Sequence, residues 1–300
     1  MTHVATLICN PLAPALDEAV IARAAALLPL PGTPVWLDGG IAADIPFTAS
    51  GGDDNASLAE RVRQTLAGLP VDVVVQPQAR RRKRLFLADM DSTMIGQECI
   101  DELADFVGKR EHVAAITERA MRGEIAFEPA LRERVALLAG LPVSVVAEVI
   151  AQRITLTPGG RLLVATMRAA GAFTCLVSGG FTLFTNPVAA AIGFDENRAN
   201  TLLVGDDGRF LGQVQEPILG REAKLATLIE LRDRDGLAPA ETLAVGDGAN
   251  DLAMLAEAGL GVAYHAKPKV AAAAHARIDH GDLTALLYLQ GYRRAEFAAV

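Results

Sequence analysis

Short apolar runs and helix-spaced stretches follow one another along this chain, and the pattern changes character near residue 78. Before that point, Val4-Ala5-Thr6-Leu7-Ile8-Cys9 predicts a strand. Residues 16–28 predict a helix that stops at Pro29 and Pro31. Val35-Trp36-Leu37 and the stretch around Ile45-Pro46-Phe47 are spaced to pair across Gly39-Gly40. Asp53, Asp54 and Asn55 offer caps for a second helix over residues 56–69, and Val71-Asp72-Val73-Val74-Val75 reads as a strand. The order β-α-β-β-α-β predicts a ferredoxin-like α+β domain over residues 1–78.

The second part opens on Arg80-Arg81-Arg82-Lys83-Arg84, which reads as a solvated linker flanking an apolar strand, Leu85-Phe86-Leu87-Ala88. A long helical region over residues 97–154 follows, broken at Met121-Arg122-Gly123-Glu124-Ile125 and at Gly140-Leu141-Pro142. Leu156-Thr157-Pro158-Gly159 closes it, and a helix over 160–169 feeds a strand over 173–177 that ends in Ser178-Gly179-Gly180-Phe181. A hairpin over 201–215 turns at Asp207-Gly208, and a helix over 222–232 leads to a strand over 242–245. Short strands at 260–264 and 276–278 follow, and Asp282 is placed to cap a last helix. Strands alternating with helices predict an α/β fold for residues 79–300: a doubly wound, mostly parallel, Rossmann-like sheet. Its helical insert, at about 97–155, sits after the first strand. Ligands of such sheets bind at the carboxyl ends of strands, where Asp89, Ser178 and Asp247 all fall.

Composition narrows the function classes. The 300 residues are 51% hydrophobic and 21% charged, enough for two domains with a sizeable core. A net charge of −8 argues against a general nucleic-acid partner. No uninterrupted apolar stretch reaches the length of a membrane span, and no basic-then-apolar leader opens the chain. The three cysteines, Cys9, Cys99 and Cys175, lack metal-ligand spacing and read as reduced thiols of a cytoplasmic protein.

The chemistry concentrates in carboxylates. Asp89-Met90-Asp91-Ser92-Thr93 puts two acids one residue apart at a strand tip, where each raises the other's pKa unless a cation intervenes. Magnesium would relieve that repulsion, because hard cations take oxygen ligands. A second acidic site stands where Leu243-Ala244-Val245 runs into Gly246-Asp247-Gly248-Ala249-Asn250-Asp251.

The Asp89–Thr93 motif, then Ser178-Gly179-Gly180, then Lys224, then Gly246–Asp251, in that order and spacing, resemble the four motifs of the haloacid dehalogenase superfamily, phosphatase branch, over about residues 85–290. The resemblance implies Asp89 as nucleophile, Asp91 as general acid and base, and Lys224 as partner of both the phosphate and Asp89. It implies Mg²⁺ held by Asp89, Asp247 and the backbone carbonyl of Asp91, with Asp251 behind them. Ser178, the Gly179 N–H and Asn250 would hold phosphate oxygens. Glu98 and the stretch Phe127-Glu128-Pro129-Ala130-Leu131-Arg132-Glu133-Arg134 are further similar to phosphoserine phosphatases. That likeness implies that Glu98 receives the substrate ammonium and Arg134 its carboxylate, with Arg132 as the competing arginine. Met121 and Phe127 match apolar lid positions.

The implied reaction is hydrolysis of O-phospho-L-serine to L-serine and phosphate through an aspartyl-phosphate, the last step of serine synthesis. Phosphohomoserine or phosphothreonine as substrate, and a non-catalytic amino-acid sensor, are the competing readings. The first 78 residues resemble ACT-type domains in pattern, which implies a homodimer through that domain. Cys99, next to Glu98, carries no expected role.

Overall fold

The computed structural model describes residues 1–49, 54–122 and 124–300, so Asp53 lies outside the described residues, as do Gly123 and the side chain of Met121. Asp54 caps the second helix, its carboxylate accepting the Ser57 N–H at 3.0 Å.

The N-terminal unit runs β1 (His3–Cys9), α1 (Glu18–Ala25), β2 (Val35–Asp38), β3 (Ala42–Phe47), α2 (Asn55–Thr65) and β4 (Val71–Pro77). Its sheet has the order β2-β3-β1-β4, with every neighbouring pair antiparallel, as the ferredoxin-like pattern requires. Leu7, Ile45 and Val73 point from the sheet onto Val20 and Val62 of the two helices.

The larger unit begins at β5 (Leu85–Ala88). Four helices leave and return before the next strand: α3 (Cys99–Asp105), α4 (Arg110–Met121), α5 (Phe127–Ala136) and α6 (Val145–Gln152). They form the cap. The outgoing and returning segments pair with each other, Gly96 N–H donating to Thr155 O and Thr157 N–H to Met94 O, both at 3.0 Å. Then come α7 (Gly160–Ala169), β6 (Phe173–Phe181), α8 (Thr182–Ile192), β7 (Glu196–Asn200), the hairpin β8 (Leu202–Val204) and β9 (Phe210–Val214), and α9 (Arg221–Arg234). The chain closes with β10 (Thr242–Gly246), α10 (Leu252–Glu257), β11 (Leu260–Tyr264), α11 (Pro268–Ala273), β12 (Ala276–Ile278) and α12 (Ala285–Leu289).

The main sheet is parallel throughout, in the order β12-β11-β10-β5-β6-β7. Chain order runs outward from β5 in both directions, so the switch point lies at β5 and β10 and opens a crevice beyond their carboxyl ends. Leu85, Leu87, Val177 and Ala244 face one helical layer, while Phe86, Leu176, Leu243 and Val245 face the other. The cap sits over that crevice.

Three local differences from the sequence expectations have physical causes. β6 continues through Ser178-Gly179-Gly180 to Phe181 instead of ending at Val177. The elements α8 and β7 carry no periodic signal: α8 contains Pro187, and β7 reads Glu-Asn-Arg-Ala-Asn, its polar groups satisfied by bonds such as Thr185 Oγ1 to Asn197 Oδ1 at 2.7 Å. The last helix starts at Ala285, with Thr284 at the cap position; Asp282 accepts the Thr284 N–H at 2.8 Å from just outside it.

In the basic run at 80–84, Arg80, Arg82 and Arg84 are exposed to solvent as a linker's would be, but Arg81 and Lys83 are not. The Arg81 guanidinium is partly buried and grips Asp44 of β3 with two bonds, at 2.6 and 3.0 Å. It also donates to Thr6 Oγ1 and to the carbonyls of Tyr288 and Leu289. Lys83 is buried, donating to Ala240 O at 2.7 Å, and burial lowers its pKa to about 8. These partners lie far away in sequence, which is why composition reads the run as solvent-facing.

Candidate active site

β5 delivers Asp89 to the switch point. The Asp89 N–H makes the last rung to β10, donating to Val245 O at 3.0 Å. Beyond it the chain turns through Met90–Met94, closed by Ile95 N–H to Met90 O at 3.1 Å, with Ser92 in the left-handed region at φ 55°. Such backbone is uncommon for a residue other than glycine and is tolerated where surrounding structure demands it. The turn keeps Asp91 on the crevice side, where its Oδ1 accepts the Cys99 N–H at 3.1 Å. A methyl group on Gly180 would come within 2.9 Å of Asp91 Oδ2 and 3.0 Å of Ser178 Oγ, so β6 approaches the turn at glycine distance.

β10 brings the second set of acids. Asp247 accepts the Thr93 hydroxyl at 3.3 Å. Asp251 is fully buried beneath Gly246, where a Cβ would lie 2.4 Å from its carboxylate. One Asp251 oxygen accepts the Gly248 N–H at 3.1 Å and the other accepts Lys224 Nζ at 2.7 Å. Lys224, fully buried on α9, also contacts Asp89 Oδ1 at 2.7 Å. Lys224 therefore holds the nucleophile candidate and Asp251 apart and neutralises one charge.

The electrostatics remain unbalanced. Burial and Asp251 raise the Asp89 pKa well above the carboxylate range, against the pull of Lys224. Burial and Asp251 likewise raise Asp247 to about 7. Burial opposes the charge of Lys224, but Asp251 and Asp89 outweigh it and raise that pKa. Carboxylate oxygens of Asp89, Asp247 and Asp251 lie within 4.8 Å of one another. Three acids facing one lysine, with Asn250 Oδ1 buried beside them and bonded to nothing among the described residues, fit a divalent cation with oxygen ligands. Both oxygens of Asp251 are engaged by Lys224 and Gly248, so Asp89 and Asp247 are the side chains with ligand capacity to spare.

A cavity of about 60 Å³ joins Asp89 to the cap. Asp89, Asp91, Ser178, Gly179 and Asn250 line its floor, and Glu98, Phe127 and Arg134 its roof. Glu98 accepts the Ser92 hydroxyl at 2.6 Å and has no cation partner among the described residues. Its enclosure, together with the charges of Asp91 and Asp247, raises its pKa well above the usual range. Arg134 is 5% exposed and has no carboxylate within salt-bridge distance among the described residues. Arg132, the competing arginine, points away from the cavity and pairs with Glu216 at 2.5 Å. The Phe127 ring lies between Gly179 and Gly220; a Cβ on Gly179 would collide with it at 2.8 Å, and one on Gly220 would press on it at 3.1 Å. Of the expected site residues, only Met121 has no described side chain.

Several residues at the site were not read from sequence. Thr117 lines the cavity from α4, a lone hydroxyl on a face otherwise built from Val113 and Ile116. Asn200 ties β6 to the start of α9, donating to Gly179 O at 2.8 Å and Leu219 O at 3.0 Å while accepting the Leu219 N–H at 2.7 Å. The polar residue within an apolar helical face was a readable signal for Thr117; nothing in the sequence pointed to Asn200.

A switch-point crevice that calls for a divalent cation, roofed by a helical insert, defines a metal-dependent α/β hydrolase. The haloacid dehalogenase-like hydrolase family model matches residues 86–256. The phosphoserine phosphatase of a Polaromonas species is 45% identical over 226 residues, 74% of this chain and 96% of that protein. Among solved structures, a phospho-aspartyl intermediate analogue of phosphoserine phosphatase aligns with TM-score 0.66 and 39% identity, covering 69% of this chain and 98% of that one. A probable phosphoserine phosphatase from Vibrio cholerae, unliganded, aligns with TM-score 0.74 and 30% identity over 98% of this chain and 88% of that one. The chain belongs to the phosphoserine phosphatase family of the haloacid dehalogenase-like hydrolases.

Proposed function

We propose that this protein hydrolyses O-phospho-L-serine to L-serine and phosphate, as the last step of serine synthesis. The observation that carries the head-group assignment is a pair of opposite charges, Glu98 and Arg134, on the walls of one cavity, neither with a counter-ion among the described residues. A zwitterionic amino acid supplies both missing partners, and an arginine can grip its carboxylate with two bonds.

An Asp89 carboxylate oxygen attacks phosphorus as the seryl oxygen leaves, forming an aspartyl-phosphate. Asp91, which burial pushes toward its protonated form, gives its proton to that departing oxygen. It then takes a proton from the water that attacks phosphorus, and Asp89 is regenerated. Lys224 and the Ser178 and Gly179 corner carry phosphate charge, with Asn250 beside them. Asp89, Asp247 and the Asp91 carbonyl would hold Mg²⁺, which when bound would neutralise phosphate charge and orient it. Phe127, seated in its glycine slot, keeps bulk water out while the phosphoryl group moves.

Two finer readings belong to the same proposal. The protein works in the cytoplasm, which its three free, buried cysteines support; no helix among the described residues is long and apolar enough to cross a membrane. The N-terminal unit is ACT-like and pairs two chains, for which the short edge strand β2 with half-exposed Trp36 offers a surface. Light scattering on the full chain reads this directly: a monomer mass at micromolar concentration rejects it.

The decisive experiment is phosphate release from O-phospho-L-serine with Mg²⁺ and with excess chelator, beside phosphothreonine and phosphohomoserine. Release is expected to be fastest with phosphoserine, to stop with chelator, and to fall by at least about 10³-fold in Asp89→Asn. Preference for another phospho-amino acid would move the substrate assignment. No release from any of the three would favour an amino-acid sensor.

A further inference from the structure

Among the described residues Arg134 is the one buried arginine of the cap, and its surroundings are unusual for a buried cation. Its Nε donates to Ala130 O of its own helix at 3.0 Å, and its Nη1 donates to Thr117 Oγ1 at 2.8 Å. Those bonds use two of five N–H donors. No carboxylate lies within salt-bridge distance among the described residues, although an isolated buried charge is strongly unfavourable. The nearest help is indirect. Thr117 Oγ1 lies 3.0 Å from Asp101 Oδ1, so the hydroxyl that accepts from Arg134 can donate to Asp101. Its alternative acceptor, Val113 O, is also at 3.0 Å. Thr117 itself is 4% exposed, and the three residues stand on three helices, α3, α4 and α5.

We propose that Thr117, backed by Asp101, is the positioning residue that aims Arg134 at the substrate carboxylate and sets the enzyme's preference for a carboxylate-bearing head group. This inference rests on the phosphoserine reading above. A direct aspartate partner would hold Arg134 equally well but would occupy the fork that has to receive the ligand. A hydroxyl holds one N–H, leaves the outer donors free, and passes the field of Asp101 through a single polarised bond. Arg134 thus stays ordered and charged in the empty cavity, and the substrate carboxylate completes its coordination. Thr117 makes no hydrogen bond to Asp89, Asp91, Asp247 or Lys224, so its effect belongs in binding of the carboxylate and not in the chemical step.

The test compares O-phospho-L-serine with O-phosphoethanolamine, which keeps the phosphate and ammonium and lacks the carboxylate. Thr117→Val removes the hydroxyl at nearly constant volume. It is expected to raise KM for phosphoserine about tenfold with kcat within about twofold, and to leave kcat/KM for phosphoethanolamine unchanged. Thr117→Ser restores the phosphoserine KM to within about twofold. Asp101→Asn, which leaves the Thr117 side chain in place, shows the same carboxylate-selective loss at about threefold. Equal losses on both substrates in Thr117→Val and Asp101→Asn, or no change in either variant, would overturn the inference and leave the phosphoserine reading standing. A wild-type enzyme without preference for phosphoserine over phosphoethanolamine would overturn both together.

Discussion

At Asp247, a carboxyl group with a pKa near 7 is held in a crevice that also contains Asp89 and Asp251. The sign of its effect on stability follows from linkage. The folded, metal-free protein retains a proton on Asp247 at pH values where the unfolded chain has lost it, so this group favours folding at low pH and that benefit is lost as pH rises through about 7. Asp89, Asp91 and Glu98 are all raised as well and act in the same direction. Without a divalent cation, the melting temperature should therefore fall between about pH 4 and about pH 7, and Mg²⁺ should reverse the fall by binding the deprotonated acids. Asp247→Asn separates the two effects: at about pH 8 its metal-free melting temperature is expected to rise by a few degrees while its stabilisation by Mg²⁺ disappears. Thermal melts of both proteins with chelator and with Mg²⁺ read this; a variant still stabilised by Mg²⁺ as strongly as the parent would remove Asp247 from the ligand set. At this scale the sequence was informative, because paired acids at strand tips have no role in folding. The choice between Arg132 and Arg134 was legible too, in hindsight: Phe127, Leu131 and Arg134 repeat at helical spacing on the cavity face, and Arg132 falls on the exposed side with Glu128.

The cap is the element whose position decides access. Besides the Phe127 slot and the backbone bonds of Gly140, Leu141 and Val143 to the β8–β9 hairpin, two ion pairs among the described residues join it to the core, Arg132 with Glu216 at 2.5 Å and Lys267 with Glu118 at 3.0 Å. All four side chains are substantially exposed, so each pair contributes only about 0.2–1 kcal/mol to seating the cap, and salt screens it. The expected consequence is a KM for the phosphate ester that rises with ionic strength in the parent protein. In the double variant Glu118→Gln with Glu216→Gln, KM should start about two- to tenfold higher and depend less on salt. Steady-state kinetics across a salt series would show it, and parallel salt slopes in the two proteins would mean that the pairs do not hold the cap. Elements with strong periodicity were readable in advance: the helix over Gly160–Ala169 and the hairpin turning at Asp207-Gly208 both stand where the pattern put them. The α8–β7 segment was not, because its polar strand is stabilised by partners such as Glu230, bound twice by Arg198, that only the fold brings near.

Across the whole molecule, the N-terminal sheet and the hydrolase unit are joined by buried polar bonds on both sides of the basic run. Asp72 of β4 accepts the N–H groups of Asp279, His280 and Gly281, taking the place of a neighbouring strand beside β12. Gln76 donates to Leu289 O at 2.7 Å, and the Tyr288 hydroxyl donates to Asp38 at 2.6 Å. Arg81 and Asp44 close the same interface. Cutting the chain after residue 78 would leave those N–H groups without their acceptor and the Arg81 guanidinium without its carboxylate, so a truncated protein is expected to aggregate and cannot report whether the N-terminal unit mediates dimerisation. The intact chain should unfold in one cooperative calorimetric transition despite its two sheets. Arg81→Met leaves Asp44 as an unpaired buried charge and should cost about 3–5 kcal/mol, whereas Arg81→Met combined with Asp44→Leu should recover much of that loss. Chemical denaturation of the two variants tests this clamp. Two separate transitions in the parent, or a single variant as stable as the parent, would show the N-terminal unit to be a loosely tethered module.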